Sequence, residues 1–97
     1  MTHEQKDRAE YLVKLTNFYE NRWQTDLITD RFVPNRELLI QNIAALKHIR
    51  GVLTVLLAGK LGEGEKEEVV MLRGMEGRLG LILDSQNAER TGRKHAG

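Results

Sequence analysis

The 97-residue chain is short enough for one domain, and its net charge of +1 gives no bulk reason to expect a nucleic-acid or membrane partner. It has no cysteine, which excludes a disulfide framework and a thiolate zinc site and points to an intracellular, cytoplasmic setting. The opening MTHEQKDRAEYLVK has acids at Glu4, Asp7 and Glu10 and no apolar h-region, so no secretory signal is expected. The most apolar run, residues 52–58, is far below the roughly 20 residues that cross a bilayer, so no membrane partner is expected either.

The first element reads as a long helix. Thr2 followed by Gln5 fits a capping box, and Glu4 and Asp7 suit the positive end of the helix dipole. Leu12, Leu15, Tyr19, Trp23 and Leu27 then recur at three- and four-residue spacing. Tyr19 and Trp23 could stack a nucleic-acid base, but on this stripe a core or interface role is the simpler reading. Pro34 disfavours helical geometry at Val33, which predicts an end between Asp30 and Phe32.

The second helix starts at PNRELL, with either Pro34 at its first position or Asn35 as its cap. Leu39, Leu46, Leu53 and Leu57 line one face, and Leu38, Ala45, Ile49, Val52 and Leu56 the adjacent one. So wide an apolar arc predicts a central helix packed against more than one neighbour. The wet face carries Arg36, Lys47, Arg50 and Thr54, with Ile43 intruding, and Gly59 or Gly62 supplies the stop.

The stretch GKLGEGEKEEVVMLRGMEGRLGLILDSQ, residues 59–86, admits two readings. Two strands around GMEG would make a hairpin, but neither apolar run alternates cleanly. A helix keeps Val69, Leu72, Met75, Leu79, Ile82 and Gln86 in regular spacing and puts Glu65, Glu67 and Glu68 in the first turn. Gly74, Gly77 and Gly80 each cost about 0.8–1 kcal/mol there relative to alanine. They form a strip, and close approach of another helix could offset the loss. The helix is the reading adopted. Residues 1–89 are then one helical domain and residues 90–97 a basic, flexible tail.

No catalytic, metal or cofactor signature emerges. His3, His48 and His95 are far apart, GKLGEG has the wrong order for a phosphate loop, and no serine or threonine has a histidine at readable spacing. Glu63, Glu65, Glu67 and Glu68 are more simply a solvated acidic helix start than magnesium ligands. Residues 34–62 carry a local excess of +3, from Arg36, Lys47, Arg50 and Lys60 against Glu37. Any contact with DNA is expected to be weak and non-specific, through Lys47, Arg50, Arg90, Arg93 and Lys94.

The layout of NFYENRWQTDLITDRFVPNRELLIQNIAALKHI ahead of the glycine-bearing LRGMEGRLGLILDSQ resembles small phage-encoded accessory proteins of head assembly and DNA packaging, such as small-terminase-like subunits. The resemblance rests on arrangement over residues 10–86 and implies a helical hairpin that mediates ring formation. It also implies DNA contact through an added helix-turn-helix domain or a basic tail, and no separate helix-turn-helix domain is evident here.

The expectation is therefore an all-α, three-helix antiparallel bundle or helical hairpin, non-enzymatic and without a cofactor, acting as a homo-oligomer in the cytoplasm, which is the host's if the chain is phage-encoded. Its self-association residues are expected to be Leu53, Leu56, Met71, Gly74, Gly77, Gly80 and Leu81. The alternatives are an inhibitor or adaptor that binds another protein, or a weak nucleic-acid-binding module.

Overall fold

The computed structural model describes residues 1–31, 33–59 and 65–91. They form three helices, α1 (His3–Thr29), α2 (Arg36–Ala58) and α3 (Glu65–Thr91), with no strand among them. The glycine-bearing segment is helical, so the hairpin reading is set aside.

Local chemistry fixes the ends. At α1 the capping box is complete: Gln5 N–H donates to Thr2 Oγ1 at 3.2 Å, and Thr2 N–H donates to Gln5 Oε1 at 2.8 Å. The helix stops at Asp30, which takes the left-handed conformation at φ 57° and donates its N–H to the Asp26 carbonyl. Asn35, and not Pro34, opens α2; its Oδ1 accepts from Leu38 N–H at 3.0 Å. Gly59, at φ 66°, closes it in a conformation that glycine adopts without a Cβ penalty.

Cross-helix partners give the topology. Arg36 meets Leu27 while Arg50 meets Asn17 and Glu20, so α1 and α2 run antiparallel. Asn42 meets Gln86 while Val55 and Met71 share a groove, so α2 and α3 are antiparallel too. Most of the tertiary contact is made by α2 with each neighbour; α1 and α3 touch sparingly.

The core is one cluster. Ala9, Leu12 and Trp23 come from α1, six residues including Leu46, Ile49 and Leu53 from α2, and Leu72, Leu79 and Ile82 from α3. The body measures 47 × 27 × 19 Å. Its least dimension is under two helix diameters of about 10–12 Å each, so every helix keeps an outward face.

Candidate self-association surface

The outward face of α3 follows from its inward one. Leu72, Leu79, Ile82 and Gln86 are buried, and at 100° per residue they occupy one side of the helix. Val70, Gly74, Gly77 and Leu81 fall on the opposite side. Val70 is 64% and Leu81 71% exposed, and a Cβ built on either glycine meets nothing within 4 Å. The glycine strip was expected to lie against another helix, and within the chain it does not. The apolar stripe of α3 turns toward α2, which carries Gly74 and Gly77 to the far side. Gly80 winds round to the rim of a groove with α1, beside Tyr11, Leu15 and Leu83, and also has open space above it.

Leu53 and Leu56 require a second correction. Both are fully buried in the chain's own core, at 0% and 1% exposure, and cannot meet a partner subunit. The wide apolar arc of α2 is consumed on both flanks, by α1 and by α3. Met71 is half-buried and lines an open groove of about 390 Å³ with Gly51, Val52 and Val55, rimmed by Lys47 and His48. Of the expected self-association residues, the structure brings Gly74, Gly77 and Leu81 together on one exposed face and leaves Met71 in this neighbouring groove.

The expected basic face does not exist as one surface. Arg50 turns toward α1, where Nη1 donates to Asn17 Oδ1 at 2.8 Å and pairs with the Glu20 carboxylate. Glu20 is itself buried and accepts from Gln24 Nε2 at 3.1 Å. Arg36 donates to the Leu27 carbonyl at 3.5 Å and lies 3.7 Å from Asp30, against the exposed end of α1. Lys47 alone of this set stands at an open groove. Arg90 belongs to α3, whereas Arg93 and Lys94 lie outside the described residues.

Sequence reasoning missed the polar ties between helices. Arg8 on α1 pairs with Glu76 on α3, and its guanidinium also lies 5.4 Å from the centre of the Tyr11 ring. The hydrogen bond that Arg8 donates to Glu76, and then the charge of that carboxylate, raise the Arg8 pKa above the ordinary arginine value. Asn42 Nδ2 donates to Gln86 Oε1 at 2.8 Å inside the α2–α3 seam. These partners are 68 and 44 residues apart, so no local spacing announces them.

Among the described residues no helix is long and apolar enough to cross a membrane, and no three acidic or histidine side chains converge as metal ligands. Searches with protein-family models, curated proteins and solved structures return no match to the chain.

Proposed function

We propose that the chain is a non-enzymatic helical assembly protein that acts as a homo-oligomer. One observation carries this reading: a well-formed helix keeps Val70 and Leu81 largely in water on the same face, with two open glycines between them. Fully burying a large aliphatic side chain is worth about 1.5–3 kcal/mol. A domain of this size has only about 5–15 kcal/mol of total stability, so a contact covering this face would matter. The layout resemblance to phage head-assembly and DNA-packaging accessory proteins supports the same role, and we place the chain among such components on that basis.

Solution mass by light scattering over a hundredfold range of concentration tests the proposal. A defined oligomer is expected, with a melting temperature that rises with concentration by mass action. A monomer at every concentration, with a single sharp melt, would overturn it.

A second reading, an adaptor for another protein, draws on the open groove at Gly51, Val55 and Met71, which an apolar side chain from a partner could enter. A constant monomer mass favours that reading. Nucleic-acid contact has lost Arg50 as a donor and would fall to Lys47 and the basic residues near the C-terminus.

A further inference from the structure

The exposed face of α3 has an internal symmetry. Reading outward from between residues 75 and 76, Gly74 is matched by Gly77, Val70 by Leu81, and Lys66 by Asp84. Each pair is equidistant from that centre to within one residue: small against small, large against large, cation against anion. All six residues are exposed, and neither Lys66 nor Asp84 makes an ion pair among the described residues.

We infer that α3 pairs antiparallel with α3 of a second copy, about a twofold axis at residues 75–76. This rests on the homo-oligomer reading and names its interface. A twofold contact sets one surface against itself, so its residues must complement their own mirror positions along the helix. In the antiparallel arrangement Val70 meets the partner's Leu81, Gly74 meets the partner's Gly77, and Lys66 reaches the partner's Asp84, each twice. The paired glycines let the two helix axes approach inside the usual 8–10 Å. In a parallel arrangement Lys66 and the partner's Asp84 would lie about 27 Å apart along the axis, so only the antiparallel form can join them. Arg73 and Arg78 sit at the two margins of the face, where long side chains can lay their stems on the contact and keep their charges in water.

Residues 66–84 span about 27 Å at 1.5 Å per residue. A single helix-on-helix contact of that length is smaller than the roughly 800 Å² per partner of a standard interface, so the pairing is expected to be reversible on dilution.

The absence of native cysteine makes a direct test available in the full chain. Val70→Cys and Leu81→Cys are prepared separately, then oxidised with diamide alone and as a mixture. In the antiparallel pair each cysteine lies about 16 Å along the axis from its own copy. That is far beyond the about 7 Å Cα limit for a disulfide. The mixture should give a covalent dimer on a non-reducing gel, and each variant alone should not. Efficient self-linking of either variant, or no mixed product, overturns the antiparallel α3 contact.

A charge exchange gives a second measurement. Lys66→Glu and Asp84→Lys should each lower the oligomer fraction, and the double variant should restore it. Failure of the double variant to recover what the singles lose counts against the pairing. A parent chain that is oligomeric but yields neither result removes this interface and leaves the assembly reading standing. A parent that is monomeric throughout removes both.

Discussion

The two seams of α2 are built differently. Toward α1, the polar tie is ionic and partly buried: Arg50 reaches across to Glu20 and Asn17, and Gln24 supports the carboxylate. Toward α3, the tie is neutral and enclosed: Asn42 and Gln86 meet as an amide pair within the aliphatic core. A charged pair at a rim keeps some hydration and needs little exactness. A neutral amide pair in the interior has its hydrogen-bonding capacity met only at one alignment of the two helices, and so acts as a register pin. The α1 seam also holds the largest core residue, Trp23, whereas the α3 seam depends on leucine and isoleucine.

The comparison can be broken most forcefully at Trp23. Trp23→Ala removes a buried indole that packs against the Tyr19 ring at 5.6 Å, and should cost about 3–5 kcal/mol. Denaturant melts should report it as a large fall in midpoint. If α1 contributed little to the core, the midpoint would barely move.

Glu20→Ala comes next. It strips Arg50 of its carboxylate partner at a site where that side chain is only 27% exposed, and should cost about 1.5–3 kcal/mol. The loss should be largely insensitive to salt, because the pair is partly shielded from solvent ions. A loss that vanishes in molar salt would recast this seam as an ordinary surface pair.

Asn42→Leu sharpens the contrast. It leaves the Gln86 amide buried without its partner, at a cost of about 1–3 kcal/mol, while Asn42→Leu with Gln86→Leu should recover most of that. The double variant, measured by amide chemical-shift dispersion, is expected to be stable but less uniquely aligned along α2–α3. Full dispersion with full stability would show that the amide pair sets no register.

The smallest effect concerns space. Gly80→Ala and Gly51→Ala add a methyl group where nothing lies within 4 Å, in helix interiors, so each should raise stability by about 0.8–1 kcal/mol. That corresponds to about 4–8 °C in melting temperature for a chain of this size. A decrease at Gly80 would mean that the α1–α3 groove is occupied in solution.

The helices, their caps and the segregation of most core residues were legible in the sequence, because each depends on neighbours within four residues. Thr2, Asn35 and Gly59 carry their roles in local spacing alone. The spacing of Leu72, Leu79 and Ile82 already puts Gly74 and Gly77 on the opposite side of α3; what was not legible is that no other helix of the chain lies there. Local spacing does not count a helix's neighbours. For the same reason Leu53 and Leu56 read as available surface, although α2 has neighbours on both flanks to cover them. The Arg50–Glu20 and Asn42–Gln86 ties join residues 30 and 44 positions apart, and only the packed bundle brings them together.

Because α1 and α3 touch so little, α2 is the common wall through which nearly all cooperativity must pass. Such a layout allows partial opening without full unfolding: α3 can lift away while the α1–α2 hairpin keeps Leu12, Trp23 and Leu46 together. Native-state hydrogen exchange would then sort the chain into two tiers. Backbone amides of α3 would trade deuterium first, by a route that breaks the Asn42–Gln86 bond, and those of α2 facing α1 would hold theirs until the whole molecule melts.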